Sequence, residues 1–273
     1  MRIVSAGEVL DFFAGDIRVA RYNFRDPFKP CFHPLCTPSG LVVSAAGPHD
    51  HKHQKGLMYA LRTEDINFWE EVVTLPGEVV GHQRHEAFVS LCDSGEQVGF
   101  TQSLVWEAAD GTLPTFTERR TIALSQRGGA IAVAWSNHLT ALRDMTLVMS
   151  QWSRANPAGQ RVNYHGLALR MVRDFANAGG TTLLVDGRPA SFADAMGRVP
   201  REVTFNGTLD PVYPAWPPPK VSMTFAQSQP NAMFFRESPW AFLSLGPSNL
   251  APRTLRRGEE IREAYTVTVA DVP

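Results

Sequence analysis

Short segments of alternating apolar and polar residues, separated by turn residues, run through most of this sequence. Residues 10–22 alternate on both sides of Gly15, and residues 115–136 alternate on both sides of Gly128. A period of two residues is typical of strands with one buried face, and turns at this spacing are typical of sandwiches. The sequence therefore predicts an all-β protein, a large antiparallel β-sandwich with at most one or two short helices.

The length of 273 residues suits one large β-domain, so we interpret residues 1–273 as a single sandwich. A hydrophobic content of 44% supplies enough apolar material for its core. One short helix is predicted at residues 192–196, because Ser191 can cap it and Gly197 can end it. The proline-rich residues 209–220 are expected to cross the surface without forming an interior strand.

Charge and composition exclude several partners. The formal net charge is -1 and there is no block of Lys or Arg, which argues against nucleic acid or an anionic membrane as a partner. The ligand is therefore expected to be small and not strongly charged. No apolar run resembles a signal peptide or a membrane span, and the odd set Cys31, Cys36 and Cys92 is typical of reduced thiols. A cytoplasmic location is the expectation.

The segment at residues 47–56 is the candidate site, because it contains three alternating histidines, an Asp and two Lys between glycines. Packing alone does not favour so many polar groups together. In an extended segment His49, His51 and His53 would share one face, opposite Asp50. A solvated His-rich loop is the alternative. The site is favoured because six of the eight histidines lie in the first third of the chain.

Three motifs occur in a recognisable order: Phe32-His33-Pro34-Leu35-x-Thr37-Pro38-x-Gly40, then Asp50-His51-x-His53-x-Lys55-Gly56-Leu57, then Asn67-x-Trp69. Together with Gly166-Leu167-x-x-Arg170-Met171 they resemble the bacterial family often labelled methane oxygenase PmoA, treated as a domain of unknown function. Gln54-Lys55 differs from the His-Arg of that family. The label does not fit a membrane oxygenase subunit, because no segment here can span a bilayer.

The resemblance implies a β-sandwich akin to the galactose mutarotase and glycoside-processing superfamily, and an association with sugar oxidoreductases. Acid-base chemistry on a sugar needs imidazoles or carboxylates to move protons, cations to bind oxygen and aromatic faces to stack on C–H groups. We predict His51 and His53 as acid and base, with Glu118 as carboxylate base or orienting group. The predicted substrate-binding residues are His33, Asp50, Lys55, Trp69, Arg120, His165 and Arg170.

Two of these predictions carry a structural alternative. Glu118 and Arg120 share one face of a predicted strand, where they could instead form an exposed cross-strand ion pair. His165 and Arg170 are an odd number of positions apart, so a regular strand would point them in opposite directions unless Gly166 introduces a bulge.

The predicted reaction is epimerisation at an anomeric carbon, or cleavage or elimination on an oxidised glycoside. No cofactor is predicted. One alternative is a non-catalytic sugar-binding or accessory subunit of a sugar oxidoreductase, and a strand edge could also serve a homodimer. Another is a metal-dependent oxygenase or hydrolase with a divalent metal at His49, His51 and His53.

Overall fold

The computed structural model describes residues 1–176, 181–210 and 217–273, and most of these residues lie in strands. In chain order the strands are β1 (Arg2–Ala6), β2 (Val9–Ala14), β3 (Ile17–Asn23), β4 (Cys31–Leu35), β5 (Leu57–Ala60), β6 (Ile66–Asn67), β7 (Val79–Cys92), β8 (Gln97–Ala108), β9 (Pro114–Arg127), β10 (Ala130–Ala141), β11 (Met145–Leu147), β12 (Arg154–Ala155), β13 (Arg161–Val162), β14 (Gly166–Arg170), β15 (Thr182–Val185), β16 (Arg188–Ala190), β17 (Glu202–Thr208), β18 (Lys220–Gln227), β19 (Ala232–Arg236), β20 (Phe242–Gly246), β21 (Arg253–Leu255) and β22 (Glu260–Val272).

Two large sheets contain most of these strands. The eight-stranded sheet has the order β1-β2-β3-β4-β5-β14-β20-β19, and the ten-stranded sheet has the order β16-β15-β17-β18-β22-β10-β9-β8-β7-β6. Neighbouring strands are antiparallel except β6 and β7, which are parallel. Two separate pairs, β11 with β21 and β12 with β13, complete the topology. The predicted all-β sandwich is confirmed.

The core lies between the two sheets and follows from the alternation in the sequence. On β9, Phe116, Ile122 and Leu124 are buried, whereas Thr117 and Thr121 between them are exposed. Residues of both sheets join one apolar cluster. Strands such as β9 bury one face and leave the other in solvent, whereas β5, β14 and β20 of the eight-stranded sheet are buried on both faces. This burial is the main source of the fold's stability.

Helical structure in the described residues is limited to the α-helix Phe192–Ala195 and the 3-10 helix Arg173–Phe175. The predicted helix is confirmed: Ser191 Oγ accepts a hydrogen bond of 3.0 Å from the Asp194 N–H, and Gly197 adopts a φ of +83°. No described helix has the length and apolar character needed to cross a bilayer. Within the predicted surface crossing, residues 211–216 lie outside the described residues. Of the described residues in this crossing, 209–210 and 217–220, Lys220 is the one that lies in a strand.

Candidate functional site

The His loop, residues 47–56, folds into two successive turns and does not run extended. The His51 N–H donates to the Pro48 carbonyl (2.9 Å), and the Gln54 N–H donates to the His51 carbonyl (3.0 Å). The Gly47 N–H then donates to the Gln54 carbonyl at 2.8 Å and closes the loop. The alternation of faces expected for an extended segment is therefore absent from this loop.

A cleft of about 300 Å³ lies beside the His loop. The loop supplies one side of it, and residues from several strands and connections supply the rest. The lining side chains are Asp50, His51, His53, Gln54, Glu70, Thr74, Trp152, Arg154, Tyr164, Phe234, Arg236, Trp240 and Phe242. The structure thus brings His51, His53 and Asp50 of the predicted site together, and leaves His49 exposed outside the cleft.

His53 is paired with a carboxylate. Its Nδ1 lies 2.8 Å from Oε2 of Glu70, and both side chains are largely buried. Glu70 is held by Asn67, whose Oδ1 accepts hydrogen bonds from the N–H groups of Trp69 and Glu70, each 3.0 Å long. When Nδ1 carries the proton that Glu70 accepts, Nε2 is the nitrogen that can exchange a proton with a ligand.

His51 lies next to His53 and against an aromatic ring. The two imidazole centroids are 5.5 Å apart, and the His51 centroid is 4.1 Å from that of Trp240. Burial lowers the pKa of His51, and the nearby His53 lowers it further, whereas Asp50, 3.4 Å from Nδ1, acts in the opposite direction. His51 is therefore held in its neutral form near pH 7, where it can accept a proton.

Asp50 is ionised in the cleft. Burial raises its pKa, but its backbone N–H, Arg170 and His51 together outweigh that effect and lower the pKa below its ordinary value. Arg170 lies behind the His loop, fully buried, with Nη2 3.7 Å from Asp50 and Nη1 donating to Gln54 Oε1 at 2.5 Å. Its guanidinium is also 5.0 Å from the Trp240 ring, so Arg170 supports two walls of the cleft from behind.

Lys55 lies outside the cleft, in an ion cluster beneath the His loop. Its Nζ is 2.7 Å from Asp26 and 2.9 Å from Glu71. The buried Lys29 donates to the same Glu71 and to the Trp69 carbonyl, each at 2.9 Å. This cluster joins the base of the His loop to the segment that carries Glu70, which gives Lys55 a structural role.

Trp69 and His165 lie beneath the cleft, and neither lines it. The Trp69 ring is fully buried, 5.3 Å from Tyr164 and 5.9 Å from Phe242, two of the aromatic rings that line the cleft. His165 packs 5.4 Å from Trp69, and burial lowers its pKa to about 3. His33 is half-buried in β4 and contacts Ser44 Oγ at 3.0 Å, also outside the cleft.

Glu118 and Arg120 lie between the two sheets, away from the cleft. Arg120 Nε donates to Glu118 Oε1 at 2.8 Å, and both side chains are fully buried. Arg120 also donates to Tyr22 (3.2 Å) and Gln83 (2.9 Å), while Trp106 donates to Glu118 at 2.7 Å. The pair belongs to an internal polar network, so the exposed ion pair considered from the sequence is also not formed.

The three candidate metal ligands are not arranged as a metal site. His51 and His53 line the cleft, but His49 is exposed elsewhere on the loop. Across residues 1–176, 181–210 and 217–273, no group of three or more His, Cys, Asp or Glu is placed to hold a metal ion.

Sequence reasoning missed several cleft residues. Glu70 directly follows the Asn67-x-Trp69 motif, so that motif was the available signal for it. Arg154 lies on the two-residue strand β12, and Arg236 ends β19, while Trp240 lies in the connection to β20. No periodicity in the sequence relates these three residues to the His loop.

Comparison with protein families agrees with the sequence resemblance at a coarse level. The model of a family of unknown function, DUF6807, matches residues 10–272. Comparison with curated proteins gave no match. The expected relationship to a domain of unknown function is thereby confirmed, whereas the carbohydrate role implied by the resemblance stays a prediction. Because the match covers nearly the whole chain, this protein belongs to the DUF6807 family.

Proposed function

We propose that this protein is an enzyme that transfers protons on a sugar or a glycoside, with His51 and His53 as base and acid. One observation carries the proposal: the two imidazoles lie 5.5 Å apart in one cleft, and each has a carboxylate neighbour. Imidazoles exchange protons near neutral pH, and neighbouring carboxylates orient them and stabilise the charged form.

The environments of the two histidines suit different roles. Burial keeps His51 neutral, so it can accept the proton of an anomeric hydroxyl. His53, oriented by Glu70, gives a proton to the ring oxygen as the bond from that oxygen to the anomeric carbon breaks. The ring opens to an aldehyde, which rotates about its C1–C2 bond so that the ring oxygen can attack the other face of the carbonyl. Return of both protons restores each histidine to its starting protonation state and completes the epimerisation. Glycosidic cleavage uses the same pair: His53 protonates the leaving oxygen, while His51 takes a proton from the water that attacks the anomeric carbon.

The remaining lining of the cleft supports a sugar ligand. Trp152, Tyr164, Phe234, Trp240 and Phe242 all line it. Aromatic faces stack on the C–H groups of pyranose rings, and a few polar groups among such faces fix the orientation of a ligand. The cleft volume of about 300 Å³ is at the lower end of the range for small-molecule sites, which suits one or two sugar units.

Turnover assays with a matched pair of variants test the proposal. Anomeric exchange of common aldoses is followed by NMR above the spontaneous rate, and release of product from 3-keto-glycosides is followed in parallel. His53→Gln should lower kcat by about 100-fold or more, the usual contribution of acid-base catalysis. His49→Gln changes an exposed histidine of the same loop and should leave kcat unchanged. Wild-type rates in His53→Gln would contradict the proposal.

A second candidate is an accessory sugar-binding subunit, favoured by the apolar residues near the cleft. Val72 (66% exposed) and Val73 (60% exposed) directly precede Thr74, which lines the cleft. Exposed apolar groups in a cluster are typical of contact surfaces. This candidate predicts that a His51→Ala, His53→Ala variant keeps its affinity for a partner sugar oxidoreductase and for sugar. It also predicts that neither the wild type nor this variant turns over a sugar on its own.

A further inference from the structure

Two arginines line the cleft without a carboxylate partner. Within the described residues, neither Arg154 nor Arg236 forms an ion pair. Arg236 Nε donates to the Ser238 carbonyl at 2.8 Å, and its guanidinium lies 4.0 Å from the centre of the Trp240 ring. A guanidinium stacked on an aromatic face keeps its other N–H donors in its own plane, where they can bind an oxyanion.

The carboxylates of the cleft already have cationic or imidazole neighbours. Asp50 lies 3.7 Å from Arg170, and Glu70 lies 2.8 Å from His53. Arg154 and Arg236 therefore leave the cleft with uncompensated positive charge. Burial lowers the pKa of Arg236, the positive charge of Arg154 lowers it further, and only Asp50 opposes these effects. An anion bound here would relieve that repulsion.

We propose that the sugar bound in this cleft carries an anionic group, a carboxylate or a phosphate, which Arg154 and Arg236 hold while Trp240 lies beside the sugar ring. The inference rests on the proposed function, because it names the substrate class of the same site. Arginine binds both anions through paired N–H donors, and such charge-assisted bonds are about twice as strong as neutral ones. Of the two anions, a single carboxylate agrees better with the expectation of a ligand that is small and not strongly charged.

Calorimetric titration with matched sugars tests this inference. The probes are D-glucuronate and D-galacturonate, their neutral parents D-glucose and D-galactose, and the 6-phosphates of those parents. We expect at least one acid or phosphate to bind the wild type about tenfold or more tightly than its neutral parent. Whichever anionic series shows this preference identifies the anion.

Variants of Arg154 and Arg236 test whether these two residues cause the preference for an anionic sugar. Arg154→Gln and Arg236→Gln should each reduce it about tenfold and leave binding of the neutral sugar nearly unchanged, and Arg236→Lys should recover part of the loss. Arg127→Gln removes the same charge from an exposed position at the end of β9, outside the cleft, and should keep the full preference.

Three results would overturn the inference. Equal affinity for the neutral and the anionic sugars would refute the anion site but would not contradict the proposed sugar chemistry. An anion preference that persists in both glutamine variants refutes the assignment to Arg154 and Arg236. If no member of the panel binds at 50 mM and none is turned over, this inference and the proposed function fail together.

Discussion

His51 should set the acid side of the pH profile. Burial and His53 lower its pKa below the ordinary value of about 6.5, so the neutral base persists as the pH falls and activity is lost only below that value. Asp50 raises the pKa of His51, so Asp50→Asn should move the acid limb of kcat/KM to still lower pH. The measurement is kcat/KM from pH 4 to pH 8. A limb that moves to higher pH in Asp50→Asn would contradict the assignment.

Glu70 should act on catalysis through His53. Glu70→Gln keeps the size of the side chain but removes the charge that orients and stabilises the imidazole, so kcat should fall about 100-fold with little change in KM. The matched control is Glu71→Gln, the adjacent residue, which lies in the ion cluster with Lys29 and Lys55. That variant should lower Tm and retain kcat. A large loss of kcat in Glu71→Gln and none in Glu70→Gln would reverse the assignment.

At the scale of elements, the His loop depends on the glycine at its end. Gly56 has a φ of +60°, and an added Cβ would lie 2.0 Å from the Phe32 carbonyl oxygen. Gly56→Ala should therefore lower the free energy of unfolding by more than about 2 kcal/mol, from backbone strain and overlap together. Gly47 has a similar φ of +57°, but its nearest contact is 3.6 Å away.

Gly47→Ala is thus the matched control. It should lower the free energy of unfolding by only about 1–2 kcal/mol, because backbone conformation alone is disfavoured there. Urea unfolding of both variants measures the difference. Equal losses would show that the close approach of Gly56 to β4 does not hold the loop.

Strands could be predicted from the sequence because their signal is local. The alternation around Gly15 and Gly128 and the Ser191 cap each act within a few residues, and all three appear in the structure as predicted. The cleft could not be predicted in the same way. The turns of the His loop are closed by hydrogen bonds between backbone groups, which nearly every residue type can form, so the residue types there do not specify the turns. Trp240 reaches His51 only through sheet pairing of distant strands.

Residue type was similarly a poor guide to which polar side chains face the ligand. Glu118 and Arg120 have the chemistry of a catalytic pair, but β9 directs them into the core, where they satisfy each other. Glu70 has the same chemistry and reaches the cleft because the Asn67 side chain turns the backbone after β6. Only the three-dimensional structure separates these two carboxylates.

For the whole molecule, buried neutral histidines should make stability depend on pH. Burial lowers the pKa of His165 to about 3, so between pH 6.5 and pH 3 the unfolded chain binds a proton that the folded chain does not. Stability is therefore lost as the pH falls through this window, by up to about 1.4 kcal/mol per pH unit from this one group.

The variant His165→Gln should flatten the dependence of the unfolding free energy on pH, because glutamine does not titrate. This expectation holds even if the variant is less stable than the wild type at pH 7. His49→Gln is the control and should keep the wild-type slope. The free energy of unfolding is measured in urea at pH 7, 5.5 and 4. A slope in His165→Gln as steep as that of the wild type would show that His165 is not held neutral by the fold.

The central claim is that His51 and His53 act as one proton-transfer pair, and a double-mutant cycle in kcat/KM tests it most directly. The proteins are the wild type, His51→Gln, His53→Gln and the double variant, assayed on the best substrate of the panel. We predict that each single variant loses about 100-fold or more and that the double variant loses little beyond the worse single variant, as expected for groups that work as a unit. Losses that multiply in the double variant, or a wild-type kcat/KM in either single variant, would contradict the claim.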